Sequence, residues 1–353
     1  MDDPRGVRRR RGGAAGDRLT KGRCIVTARG RAKVVPLRPD GHGARSGDHA
    51  DGGDPGDAAR ERSRVVPLPV RGESDQRLSP GGLLDFVRRR VSGDYEVDEF
   101  GFDAELTENV LLPLVRPLYE RWFRVTTTGV DNIPDTGGAL LVSNHSGVLP
   151  LDAVMTAFAV HQEHPERRFL RMLGADLVFD TPVLGSLARK TGQTLACHPD
   201  AERLLRDGQL VGVWPEGFKG IGKPFSARYK LQRFGRGGFV SAALRTSAPI
   251  IPCAIVGAEE IYPKIGDIRP LARLLRLPYF PVTPFFPLLG PLGTVPLPTK
   301  WYIEFGEPIR TDGYAADADD DQMLVLTLTD QVRESIQNML YRRLARRRGI
   351  FSG

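Results

Sequence analysis

The chain has only three cysteines, Cys24, Cys197 and Cys253, far apart and in no CxxC pair. Such a set argues against a disulfide scaffold, a structural zinc site or an iron–sulfur cluster, and fits a reducing compartment. No run of about 18 apolar residues is free of proline, which excludes a polytopic membrane protein. No N-terminal stretch joins a short basic region to an apolar core, so no secretory signal of that kind is expected. What is present is ordinary for a soluble or peripheral protein: 353 residues, 41% hydrophobic and 26% charged, with a mean hydropathy of −0.26. That length suits one large domain or two ordinary ones.

The net charge of +7 is unevenly placed. Residues 1–75 hold 17 Lys/Arg against 11 Asp/Glu, a net +6, and the rest of the chain sums to about +1. A nucleic-acid binder would spread positive charge over its folded part, so no nucleic-acid partner is expected. The stretch 1–75 is Gly, Arg, Asp and Ala with few aromatics, and is expected to be a disordered basic tail. It carries one repeat: Val34-Val35-Pro36-Leu37 recurs as Val65-Val66-Pro67-Leu68. Either these are chance extended segments or they dock a protein partner.

Order is expected from Gly82. Residues 82–124 are read as amphipathic helices, the second over Leu106–Arg124 and interrupted by Pro113 and Pro117. Its aromatic, basic end suits either a membrane interface or core packing. From Val125 the chain alternates strands and helices. Strands are predicted at Ala139–Val142, Arg168–Leu173, Gln209–Trp214, Ile250–Val256 and Trp301–Phe305. Helices are predicted at Asp152–Val160, Val183–Lys190, Ala201–Arg206 and Gly238–Thr246, with Gly192 and Gly208 as stops. This pattern predicts an α/β domain over 125–310, a mostly parallel central sheet flanked by helices. A last helix, within 317–348, starts among Asp317–Asp321 and ends in arginines that complement its dipole.

In such sheets, ligands bind beyond the carboxyl ends of the strands. The loop after Ala139–Val142 reads Asn144-His145-Ser146-Gly147-Val148-Leu149-Pro150-Leu151-Asp152. His145 is a candidate general base and Asp152 its orienter, an imidazole–carboxylate arrangement that works near neutral pH. Equally, Asp152 is a helix cap and His145 a hydrogen-bonded loop residue. The loop after Gln209–Trp214 reads Trp214-Pro215-Glu216-Gly217-Phe218-Lys219-Gly220, a tight turn. There Glu216 is a candidate for a polyol hydroxyl and Lys219 for a phosphate. Lys223, Arg228, Lys230, Arg233 and Arg236 follow. Gly217 to Lys223 mimics a phosphate-binding loop, but Pro224 stands where Ser or Thr would hold magnesium. No G-x-S-x-G motif is present, which disfavours a nucleophile-elbow hydrolase.

These loops, with Asp176–Gly192 and Pro249-Ile250-Ile251-Pro252, form four blocks in order. Over about 125–309 the chain resembles the glycerolipid (lysophospholipid) acyltransferase family, in a branch similar to diacylglycerol acyltransferases. Two departures stand out. Six residues separate His145 from Asp152 where the family has four. Cys197-His198 and Phe218-Lys219 stand where arginines that grip a phosphate are usual, which shifts the expected acceptor toward less charged alcohols.

The resemblance implies transfer of a fatty acyl group from acyl-CoA or an acyl carrier protein to a glycerolipid hydroxyl. In that scheme His145 is the base, with Asp152 beside it, and no metal or cofactor is required. Asn144, Gly147, Glu216, Gly217, Lys219 and Arg236 are the expected substrate contacts, with backbone amides near Gly147 as oxyanion donors. A lipid hydrolase using His145, or a lipid-binding protein without catalysis, is the alternative on the same fold. Leu277–Leu297 has six prolines and no charge. It is expected to be either a rigid apolar flap touching the membrane through Tyr279, Phe280, Phe285 and Phe286 or a loop folded over the sheet. The expected location is cytoplasmic, on the inner face of the cell membrane.

Overall fold

A computed structural model provides the fold and describes residues 33–35, 80–146, 149–180, 184–275 and 279–352. Strand β1 (Lys33–Val35) pairs in parallel with β2 (Glu96–Asp98), and helix α1 (Pro80–Ser92) lies between them in sequence. The repeat at Val65–Leu68 lies outside the described residues.

The helix expected over Leu106–Arg124 starts slightly earlier. It opens as α2 (Ala104–Leu106), where the Asp103 carboxylate accepts from Leu106 N. It widens to a π turn over Thr107–Leu111, continues as α3 (Leu112–Pro117) and widens again over Leu118–Trp122. Pro113 and Pro117 lack the N–H that the ladder needs, and wider turns accommodate them without a break. Its aromatic end serves the core: Tyr119 and Phe123 are buried, and Phe123 stacks on Trp301 at 4.4 Å.

Beyond it come β3 (Thr126–Thr128), β4 (Ala139–Ser143), α4 (Leu151–Glu163), β5 (Leu170–Gly174), α5 (Asp176–Asp180), α6 (Leu184–Lys190) and β6 (Thr194–Leu195). Next are α7 (His198–Arg206), β7 (Leu210–Val213), α8 (Gly217–Ile221), α9 (Gly238–Thr246) and β8 (Ile250–Val256). The small strands β9 (Gly266–Asp267) and β10 (Pro281–Val282) pair antiparallel around α10 (Arg269–Leu274). β11 (Tyr302–Phe305) and α11 (Gln322–Arg346) complete the chain. Asp321 caps α11, accepting from Met323 N and Leu324 N, within the range the acids predicted.

Seven strands form one sheet in the order β3-β11-β8-β4-β7-β5-β6. From β8 to β6 every neighbouring pair is parallel, while β11 runs antiparallel to β8. The mostly parallel α/β sheet expected from the alternation is the fold observed. Successive side chains of β4 and β8 feed opposite cores, as the pleat requires. Leu140, Val142, Ile250 and Ala254 pack with α7, α9 and α11. Leu141, Ile251, Cys253 and Ile255 pack with α4 and the composite helix. No helix among the described residues is long and apolar enough to cross a membrane.

Candidate active site

Three adjacent parallel strands, β7, β4 and β8, end at one rim. Their following loops deliver Glu216, His145 and Glu259. The strand order alone brings these segments together, although they lie far apart in sequence.

The longer His–Asp loop closes on itself. Asp152, in the first turn of α4, is 1% exposed. Its Oδ2 lies 2.6 Å from His145 Nδ1 and accepts from Ser146 N at 2.9 Å. Its Oδ1 accepts from Ala153 N at 2.9 Å. The helix N-terminus favours a carboxylate at this position. A carboxylate can only accept, so Nδ1 carries the proton and Nε2 keeps a free lone pair. Burial alone would lower the His145 pKa, but the charge and hydrogen bond of Asp152, helped by Glu216, raise it above the usual histidine value.

Around this pair several of the expected site residues are held by the protein itself. Asn144 is fully buried: its amide donates to Ile255 O at 3.0 Å and its Oδ1 accepts from Ile255 N at 2.8 Å. Both ends of the amide clamp the loop to β8. Gly147 lies outside the described residues. Glu216 is also buried, with both oxygens engaged by protein. Oε1 accepts from His145 N at 3.4 Å, Oε2 accepts from Gln232 N at 3.1 Å, and Lys223 Nζ lies 3.1 Å from Oε2. These contacts make Glu216 an anchor between the two loops.

The cation that answers Glu216 is Lys223, not Lys219. Segment 217–221 is a short helix rather than a tight turn, and it leaves Lys219 exposed while carrying the chain on to Lys223. Gly220 permits this, since a Cβ there would meet Glu216 Cβ at 2.6 Å. Lys223 also lies 3.1 Å from Glu259 Oε2. Burial raises the Glu259 pKa, and Lys223 opposes that rise. Arg236 is exposed and lines neither cavity of the site.

A cavity of about 540 Å³ opens beside this network. Its lining includes His145, Met172, Leu173, Val178, Trp214, Gly217, Phe218 and Ile221. Trp214 is tilted against the His145 ring at 6.2 Å, and its buried Nε1 has no partner among the described residues. The flap contributes to the same wall. Tyr279 is buried, and Tyr279, Phe280 and Phe286 line the cavity. The Phe280 and Phe286 rings are half-buried there. Of the four flap aromatics, Phe285 alone is exposed, beside Leu288, Leu289 and Leu292.

Ser146, Lys223, Glu259 and Trp214 are the site residues that sequence reasoning did not single out. Glu259 had a signal, an acidic residue just after a fully buried strand, as Glu216 follows β7. Lys223 had one in the false phosphate-binding loop.

A family model described as Acyltransferase matches residues 124–256. Residues 124–256 thus form an acyltransferase domain, as the motif blocks in order implied. An uncharacterized protein of Mycobacterium tuberculosis is 51% identical over 97% of this chain and 100% of its own length. Another, from Mycobacterium leprae, is 60% identical over 77% of this chain and 74% of its own. The crystal structure of the 1-acyl-sn-glycerophosphate acyltransferase PlsC from Thermotoga maritima aligns with a TM-score of 0.44 and 18% identity. That alignment covers 68% of this chain and 82% of PlsC.

Proposed function

We propose that the protein transfers a fatty acyl group from a thioester, acyl-CoA or acyl carrier protein, to a hydroxyl of a glycerolipid at a membrane surface. The carrying observation is the pairing of His145 with buried Asp152 on the wall of a cavity lined largely by apolar residues. That cavity has the volume and lining to take an acyl chain.

His145 Nε2 takes the proton of the acceptor hydroxyl while Asp152 stabilises the imidazolium. The oxygen forms a bond to the thioester carbonyl, the carbon–sulfur bond breaks, and the imidazolium returns the proton to the leaving thiolate. No covalent enzyme intermediate arises. Glu216 and Asn144 hold the two backbone segments that aim His145.

Leu149, Leu177 and Phe218 line the cavity and are exposed, as are Phe285 and Leu288 on the flap. An apolar rim of this kind favours a lipid surface, from which a water-insoluble acceptor enters without crossing water. Incubation with radiolabelled acyl-CoA, with and without acceptor, tests the proposal. Labelled acylated lipid that disappears in His145→Ala is expected. Free fatty acid alone, in amounts independent of acceptor, would show a hydrolase instead.

A further inference from the structure

Glu216 anchors the His145 loop, and part of what holds Glu216 comes from the far end of the chain. Glu216 Oε1 accepts from His145 N at 3.4 Å, and its Oε2 accepts from Gln232 N at 3.1 Å. Gln232 closes the irregular segment 229–232, which has no strand ladder to fix its backbone. Side chains do that instead. Gln337, on α11, donates from its amide to Tyr229 O at 2.8 Å and accepts from Leu231 N at 2.9 Å. Both ends of one amide thus grip the backbone immediately before Gln232. α11 (Gln322–Arg346) follows residues 124–256, so the grip comes from outside the stretch that the family model matches.

The conformation of Tyr229 shows how firmly the segment is held. Its φ is +63°, in the left-handed region that is uncommon for a residue with a Cβ. Such a conformation persists where the surroundings over-determine it. Tyr229 N donates to Glu259 Oε2 at 2.9 Å, Tyr229 Oη accepts from Gly257 N at 2.9 Å, and Gln337 takes the carbonyl. The Tyr229 side chain is buried in the same core as Val332, Ile336 and Met339 of α11. Two routes run from Tyr229 to Glu216. One is the backbone through Gln232. The other is Glu259, which shares Lys223 with Glu216, at 3.1 Å from each.

We infer that Gln337 is a positioning residue for the proposed acyl transfer. By fixing 229–232 it fixes Glu216, and through Glu216 the loop that aims His145 Nε2 at the acceptor hydroxyl. The inference rests on the acyl-transfer reading and adds to it a part supplied by α11. Gln337 lines neither cavity of the site, so its effect falls on turnover rather than on substrate binding. A misplacement of about 1 Å caused far from the chemistry can cost ~10²-fold in rate.

The test compares the full-length protein with Gln337→Met, which keeps the length of the side chain and loses both hydrogen bonds. Ile336→Val, one position away and buried in the core, is the control for a small loss of stability. The assay uses palmitoyl-CoA with dioleoylglycerol or lysophosphatidate in detergent micelles. Gln337→Met should lower kcat by about tenfold or more and leave both KM values within about twofold. Ile336→Val should keep kcat near wild type at a similar drop in thermal midpoint. Hydrogen exchange gives a readout that needs no turnover. Peptides covering 229–232 and 144–146 should exchange faster in Gln337→Met and not in Ile336→Val. If Gln337→Met does not unfold cooperatively, Gln337→Glu takes its place, with the same directions expected. Wild-type kcat in the Gln337 variant, or faster exchange confined to 229–232, overturns the inference while acyl transfer stands. So does an equal loss of kcat in Ile336→Val. A wild type that acylates neither lipid overturns the acyl-transfer reading and the inference with it, whatever the exchange shows.

Discussion

Asp152 Oδ2 meets His145 Nδ1 at 2.6 Å across a loop two residues longer than its family's usual one. The same oxygen accepts from Ser146 N, so one carboxylate orients the imidazole and pins the loop beside it. If His145 is the base, His145→Ala should lower turnover by about 10²–10⁴-fold. The thermal midpoint should stay close to wild type, since His145 lies on a cavity wall. Residual turnover above about a tenth of wild type would remove it from that role.

The pH dependence follows from the same pair. Asp152 and Glu216 raise the His145 pKa. A base works only when unprotonated, so kcat/KM should fall with decreasing pH through a pKa above the ordinary ~6.5. Asp152→Asn removes the main charge that opposes burial. Its acidic limb should move to lower pH and its maximum should drop. A limb that stays in place would mean another group sets the profile.

Glu216→Gln probes the anchor. The change leaves Lys223 with Glu259 but weakens its second partner in a buried setting. A loss of about 1–3 kcal/mol is expected, measured by urea unfolding. Because Glu216 accepts from His145 N, kcat should fall as well. Unchanged stability would show that Glu259 alone suffices for Lys223.

The flap prediction uses the exposed positions. Phe285→Asp with Leu288→Asp should reduce sedimentation with anionic liposomes while leaving the unfolding transition intact. The two side chains put roughly 3–5 kcal/mol of partitioning at stake. Binding equal to wild type would confine the flap to covering the cavity.

Much of this was legible along the chain. Ile250–Val256 and Gly238–Thr246 have the boundaries expected of them, because a long apolar run and a glycine-bounded segment are strong local signals. His145 and Glu216 stood out because each follows a buried strand. What was not legible is that the protein itself engages Asn144 and Glu216. Sequence gives residue type and place on a loop, but not which neighbour consumes its polar atoms. The cavity lining by Tyr279 and Phe286 was not legible either, because an apolar residue in a proline-rich flap reads alike whether it faces lipid or a cavity.

By itself the sequence determined the order of elements, the parallel sheet and the two loops at its carboxyl rim, since these follow from local periodicity and from the rule for strand ends. Only the tertiary structure decided the rest. Strand order placed β4 between β7 and β8, and so set Glu216, His145 and Glu259 side by side. That contact paired Lys223 with two carboxylates, and the Ser146 hydroxyl has no partner among the described residues. Charge cancellation and burial depend on distances across the fold, and no local pattern encodes them.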